Sequence, residues 1–509
     1  MLNRVIFILI LLLQPFRLQY KTTTTTASII TRAYNNIVSP GTITTISTTV
    51  SATIVSRMTS EAANAVTPVL QKSPPLSRSP STAAPTVRTE TSDEQKPAWS
   101  PLKQSKSYAS MLRFWGKTIE SKLEHAAEIK LLSQGGIEIT GADSEPQEIA
   151  SDKIQGQLLD VEIDSSGNYI HTLAIKKQQL GNVANKNLVI THGYFTGLGF
   201  FFRNYAELSK VDNWDVYSLD WLGMGRSSRP EYLGERSGSE DQRVACAERF
   251  FVESLEEWRK RMGLETMTLC GHSFGGYMSA LYAMKYPERV EKLVLISPIG
   301  VPESPAGYDE VVRRGHGPVR NQRAPSPSDA QLEQQAKEAK EPGMMFVLMF
   351  RLATRLWDSN YTPQWVVRLA GPFGQRIINW YIGRFTWLNN EQRMDLAAYA
   401  HQISVLRGSS ETALGDILKP GAFARRPLVQ RFADQIKVPT VFMYGMKDWV
   451  DYTGGEDVLK RIGGRVAGSV HRVAEAGHNL HMENPAGFNS VLVEEMKKGG
   501  GQLRQTSIL

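Results

Sequence analysis

Three short stretches of the chain carry the residue types that acyl transfer needs. Gly271-His272-Ser273-Phe274-Gly275 sets a serine in a Gly-x-Ser-x-Gly turn, between an apolar run (Met267 to Cys270) and a helix-like run (Tyr277 to Tyr286). Strand, sharp turn and helix form the context in which this motif presents a nucleophile. Glycine is needed at 271 and 275 because the serine's strained backbone leaves no room for a Cβ at either flank. A serine hydroxyl is a weak nucleophile at neutral pH and requires a base, itself oriented by an acid. His478, in Ala476-Gly477-His478-Asn479 just past an apolar run, is the expected base. Asp448, in Tyr444-Gly445-Met446-Lys447-Asp448-Trp449, is the expected acid, with Asp451 the close alternative. Asp220 precedes the serine and so departs from the order serine, acid, histidine. A tetrahedral oxyanion also needs donors. The backbone N–H groups of Phe274 and of Tyr194, in His192-Gly193-Tyr194, are expected to supply them. Such a set belongs to a serine hydrolase or acyl transferase, chemistry that requires no metal or organic cofactor. His481 forms His-x-x-His with His478 but lacks a nearby third ligand for a metal, and His272 is expected to pack or bond locally.

The surrounding pattern supplies elements able to hold these groups. Strands are expected at Asn187 to Thr191, Trp214 to Trp221, the serine run, Lys292 to Ser297, Val438 to Gly445 and Ser469 to Gly477. Arg243 to Met262 reads as a helix with Phe250, Leu255 and Trp258 among its apolar positions. Alternation of this kind implies a mainly parallel sheet covered on both faces, with reactive loops at the strand C-termini. Between Pro298 and Pro439 the alternation stops. Residues 302–343 are charged and rich in Pro and Gly, and read as an excursion. Met344 to Trp357 and Trp365 to Trp380 carry Met, Phe, Leu and Trp at helical spacing. They are expected to form a cap whose apolar side chains suit long acyl chains. The chain thus divides into a leader (1–60), a linker (61–100), an N-terminal helix with first strands (101–185), two core halves (186–300 and 438–498) and a cap insertion (301–437).

The net charge of +7 is concentrated at one end. Residues 1–100 hold nine Lys and Arg against four acids, which is +5 of that total and argues for a basic leader, not a nucleic-acid surface. No acid precedes Glu61, and Ser and Thr abound, as in a mitochondrial transit peptide. Val5 to Leu13 is also the length of a signal-peptide apolar segment, so the secretory route is the alternative. That run is too short to span a bilayer. Membrane attachment is expected to be peripheral, through the leader or through an amphipathic helix over Ser107 to Leu132 that otherwise packs on the body. The two cysteines, Cys246 and Cys270, read as small apolar core residues.

Longer motifs carry a family resemblance. They are His192-Gly193-Tyr194-Phe195-Thr196-Gly197-Leu198-Gly199, Asp220 through Pro230 (DWLGMGRSSRP), Phe251 through Arg259 (FVESLEEWR), Ala370 through Gly374 (AGPFG), Ser410 through Leu414 (SETAL) and Arg426-Pro427-Leu428. With them the chain resembles the α/β-hydrolase lipid subfamily of lysophospholipid and N-acyl-phosphatidylethanolamine lipases. That subfamily also holds the lipid-droplet lipase coactivator and the fungal mitochondrial cardiolipin-specific deacylase. The resemblance covers roughly residues 97–495. It implies an α/β-hydrolase fold with a helical cap and a Ser273, Asp448, His478 triad. The implied activity is phospholipid deacylation, of cardiolipin for a mitochondrial member. Acyl-CoA-dependent acylation of lysophosphatidic acid and a non-enzymatic coactivator role are the alternatives. Members share a His-x4-Asp motif associated with that acyl transfer, and here Glu483 stands in the aspartate's place.

Overall fold

The computed structural model describes residues 125–140, 154–177, 185–304 except 236, a few positions between 308 and 359, and 361–498. The leader, the linker, most of the 107–132 helix, the 302–343 excursion and most of Met344 to Trp357 lie outside these residues.

Among the described residues nine strands form one sheet in the order β1-β2-β3-β5-β4-β6-β7-β8-β9. They are β1 (Ile137–Ile139), β2 (Ile154–Glu162), β3 (Tyr169–Ile175), β4 (Lys186–Thr191), β5 (Trp214–Leu219), β6 (Met267–His272), β7 (Val290–Ile296), β8 (Thr440–Gly445) and β9 (Gly468–Val473). Pairing is antiparallel only around β3, against β2 and β5; every other pair is parallel. Burial follows position. Central β6 and β8 are buried at every residue, whereas edge strand β9 alternates. A strand covered on both faces must be apolar throughout. Because side chains alternate across a strand, neighbouring residues feed different cores. Leu188, Ile190, Val294, Val441 and Met443 join one core, while Val189, Leu293, Leu295 and Phe442 join the other.

Helices cover both faces. α1 (Ala126–Gln134) buries Leu131 and Leu132 fully, so the described end of the expected amphipathic helix packs these two residues into the core. α2 (Glu240–Arg261) starts three residues before the expected boundary because Ser239 and Gln242 form a reciprocal capping box. Its buried stripe runs Val244, Ala247, Phe251, Leu255, Trp258; Phe250 lies beside it, half-buried. Cys246 is off that stripe and only partly buried, so of the two cysteines Cys270 alone is a core residue. α3 (Phe274–Lys285) follows the serine directly and is buried from Phe274 to Ala283. A helix apolar on all sides is one enclosed on all sides.

The Trp365 to Trp380 run is not one helix. Gly371, with φ of 53°, and Pro372 interrupt it, giving α4 (Pro363–Leu369), a short 3-10 turn and α5 (Gly374–Ile382). α6 (Asn390–Val405) follows. Val367, Ile378, Leu396 and Tyr399 of these helices continue the core on one face of the sheet. α7 (Leu428–Gln435), α8 (Thr453–Ile462) and α9 (Pro485–Lys497) complete the described body.

Candidate active site

Ser273 sits between β6 and α3 with φ of 55° and ψ of −114°, a conformation that L residues rarely adopt. The strain turns its hydroxyl out of the sheet. A Cβ on Gly271 would lie 2.4 Å from the Gly275 carbonyl oxygen, and one on Gly275 would lie 2.5 Å from that of His192. Any larger residue at either place would push the elbow apart.

The structure brings the three expected residues together across more than 200 positions of sequence. His478 Nε2 is 3.0 Å from Ser273 Oγ, and His478 Nδ1 is 3.1 Å from Asp448 Oδ1. With Asp448 accepting at Nδ1, the imidazole presents an unprotonated Nε2 to the serine hydroxyl. Ser273 and His478 are 8% and 6% exposed, so both are buried. Asp448 also accepts from the Val450 N–H at 2.9 Å and from the Ser297 hydroxyl. Asp451 faces elsewhere and caps Thr453.

Ser297 escaped the sequence reading, although strand order held the signal. β7 pairs with β6, which ends at the serine, and with β8, which ends before Asp448. A side chain just past β7 therefore falls between them. Trp449 adds a ring wall 4.6 Å from His478.

Two further histidines lie beside His478. His272 Nε2 donates to the His478 carbonyl at 3.0 Å, so it bonds locally. Burial, reinforced by His481 and His478, holds His272 well below the usual histidine range. His481 stacks on Phe201 at 4.2 Å, and burial, then the neighbouring His478, pushes it down to about 3. Both nitrogens of His478 are engaged by Ser273 and Asp448, which leaves the His-x-x-His spacing without a ligand pair.

Glu483 has a definite task. Its carboxylate accepts from the Gly477 N–H at 2.7 Å and the Asn479 N–H at 3.1 Å, the two residues flanking His478. The acid clamps the backbone of the base from behind. Burial raises its pKa against the pull of these two bonds.

The Tyr194 loop is braced from three sides. Asp220 Oδ1 accepts from Leu198 N–H and its Oδ2 from Arg226 N–H, each at 2.7 Å. Burial raises the Asp220 pKa. Asp220 is therefore a loop brace and not a partner of His478. His192 Nδ1 donates to the Gly193 carbonyl at 2.7 Å, leaving Nε2 to accept from Trp221 N–H at 3.1 Å. The cap closes the third side: Tyr194 hydroxyl donates to Gln364 at 2.7 Å, and Gly199 N–H donates to Tyr399 hydroxyl at 3.2 Å. Gly193 lies against the serine, since a Cβ there would be 3.1 Å from Ser273 Cβ. Phe274 is the first residue of α3, where an N–H has no partner within its own helix. Phe274 thus follows the serine directly, and Tyr194 follows Gly193, the residue that lies against it.

Among the described residues one group has metal-ligand composition: His125, Glu128 and His171. Arg226 Nε stands 3.1 Å from Glu128 Oε2 and 3.3 Å from His125 Nδ1, and supplies the positive charge an ion would bring. His171 bridges Glu128 at 3.1 Å and Asp160 at 2.7 Å. Burial opposes both charges, but the mutual attraction wins: His171 is raised to about 10 and Glu128 lowered to about 2. This is a buried ion network tying α1 to the β2–β3 hairpin and the Asp220 loop. A cleft of about 550 Å³ opens elsewhere, lined by Glu231, Arg243, Asp416 and Arg425, and contains none of the three expected residues.

A parallel sheet, a strained serine elbow and a late acid and histidine define a hydrolase of α/β type. The profile of the alpha/beta hydrolase fold family matches residues 186–485, and the chain belongs to that family. It is 35% identical over 342 residues to the 1-acylglycerol-3-phosphate O-acyltransferase of Arabidopsis thaliana, covering 66% of this chain and 71% of that protein. It is 31% identical over 336 residues to the 1-acylglycerol-3-phosphate O-acyltransferase ABHD5 of Homo sapiens, covering 65% and 82%. The (lyso)-N-acylphosphatidylethanolamine lipase of Mus musculus matches at 30% over 331 residues, covering 64% and 83%.

Proposed function

We propose that this protein is a serine-dependent phospholipid deacylase of A type, acting on cardiolipin or related phospholipids during acyl-chain remodelling. The observation that carries the reading is the hydrogen-bonded series from Ser273 through His478 to Asp448, at 3.0 and 3.1 Å. In this reading Ser273 Oγ attacks the ester carbonyl as its proton passes to His478 Nε2. Asp448 stabilises the imidazolium, and the Phe274 and Tyr194 amides hold the oxyanion. Collapse breaks the ester C–O bond, His478 returns the proton to the departing lysolipid, and the acyl group stays on Ser273. Water, deprotonated by the same histidine, then releases the fatty acid. The apolar cap core, with Val367, Ile378 and Leu396, favours long-chain esters over small polar ones.

The names of the relatives from Arabidopsis thaliana and Homo sapiens favour a second reading, acyl-CoA-dependent acylation of lysophosphatidic acid. It differs only in the acyl donor and in what accepts the acyl group from Ser273. Incubating the purified protein with cardiolipin, phosphatidylethanolamine or lysophosphatidic acid, with and without acyl-CoA, separates them. Deacylation predicts lyso-products without the thioester, and acyl transfer predicts phosphatidic acid only with it. If Ser273→Ala forms the same products at the same rate, or leaves lipid profiles in cells unaltered, both enzymatic readings fail and a coactivator role replaces them.

The basic leader, acid-free until Glu61, supports a mitochondrial, inner-membrane-associated location over the secretory route. A reporter fused to residues 1–60 that enters the endoplasmic reticulum instead would reverse that assignment.

A further inference from the structure

The proposed chemistry needs three segments to meet at one point: the serine elbow, the Gly193-Tyr194 loop and the loop that carries His478. The side chain of His272 reaches all three. It is the last residue of β6, directly before Ser273, and is buried. Its Nε2 donates to the His478 carbonyl at 3.0 Å, and the two ring centroids are 5.0 Å apart. Its Nδ1 faces the second loop, since a Cβ on Gly193 would lie 3.0 Å from that atom. A carbonyl only accepts, so the proton of this ring sits on Nε2. Burial, with His481 and His478 close by, holds the ring neutral, and the donor stays in place throughout the working range of the base.

Other contacts hold the loop of the base, but at different places. Glu483 bonds the Gly477 and Asn479 N–H groups from within the same loop, and so fixes its shape. Asn204 and Arg203 donate to the carbonyls of His481 and Met482, further along the chain. The His272 bond falls on His478 itself and comes from the residue beside the nucleophile. Any change in its length passes directly into the 3.0 Å between His478 Nε2 and Ser273 Oγ. We infer that His272 is a positioning residue, which sets base against nucleophile by holding the His478 carbonyl to the serine elbow. The inference rests on the reading of Ser273 as nucleophile and His478 as base. If the ring only filled space, an apolar side chain of like volume would replace it. If its N–H acts, a replacement must carry a donor to the same point. Glutamine can place an amide nitrogen where Nε2 stands, and asparagine stops a methylene short.

The test uses the full chain and a fluorophosphonate. Its phosphorus bonds to Ser273 Oγ as fluoride leaves and the hydroxyl proton passes to His478, so it reports activation of the serine whatever ester the protein takes. The natural protein should be labelled and Ser273→Ala should not. His272→Asn should lower the limiting rate of labelling about 10- to 100-fold at an unchanged half-saturating concentration, because the base is misplaced while the site keeps its shape. His272→Gln should recover the natural rate to within about threefold. Should the melting temperature show that His272→Asn does not fold, His272→Met fills the volume without a donor and makes the same comparison. A folded Asn or Met variant labelled as fast as the natural protein would overturn the inference and leave the proposed activity standing. A folded Gln variant as slow as the Asn or Met variant would overturn it too. A natural protein that takes no label would remove the activated serine, and the inference with it.

Discussion

Two buried histidines in this protein each rest against a carboxylate, and they do opposite things. His478 has Asp448 on one nitrogen and the Ser273 hydroxyl on the other. His171 has Asp160 on one nitrogen and Glu128 on the other, with Arg226 completing the cluster. A second carboxylate fixes the proton: His171 is an imidazolium over the whole physiological range. At His478 the far nitrogen faces a neutral hydroxyl instead, the arrangement the proposed base needs. The acid–histidine pair is therefore not the signature of catalysis. What stands at the far nitrogen decides between a base and a bolt.

The largest effect expected from breaking this contrast is at the hydroxyl. Ser273→Ala should cut turnover on the order of 10⁶-fold, as loss of a serine nucleophile does elsewhere, with the melting temperature unchanged. Asp448→Asn should cost about 10⁴-fold, because an amide holds the imidazole in the wrong tautomer. At the other histidine the readout reverses. Glu128→Gln leaves a buried cation without its main partner and should destabilise the fold by about 3 kcal/mol. Specific activity of the folded fraction should persist, and denaturant melts paired with rate assays check both halves.

A smaller effect sharpens the boundary between the two behaviours. Glu483→Gln keeps one of the two backbone bonds behind His478 and should lower turnover about 10- to 100-fold through misplacement of the base. A fall in KM alone, with kcat intact, would show that the clamp is dispensable for chemistry.

The mildest probe is pH. His171 binds its proton more tightly folded than unfolded, so its contribution is complete below pH 6.5 and is lost as pH climbs through about 10. Glu128, lowered to about 2 from 4.5, contributes fully above pH 4.5 and loses that contribution as pH falls through about 2. Urea midpoints measured from pH 6.5 to 10 should decline more steeply for the natural protein than for His171→Gln.

The residues of the candidate site were legible because strained turns and strand ends have strict local requirements. Glycines 271 and 275 around a serine, and a histidine after a last apolar run, are short-range patterns. So were the six strands from β4 to β9, mostly apolar runs, whereas β1 to β3 were expected only as first strands somewhere in 101–185. Ser297, Asp220 and Glu483 were not legible as supports, because each acts through partners that only folding brings near. The break at Gly371-Pro372 was written in the chain, yet the apolar spacing of Trp365 to Trp380 masked it.

By itself the sequence offered the set that the proposed chemistry uses: a candidate nucleophile, base and acid and two expected amide donors, in the order this fold uses. Local rules suffice for that, because backbone strain and strand periodicity act between near neighbours. Tertiary structure alone decided that Glu128 and Asp160 meet His171, and which helix turns aromatic side chains outward. Those outcomes depend on charge and packing between elements far apart in the chain, where no spacing rule reaches.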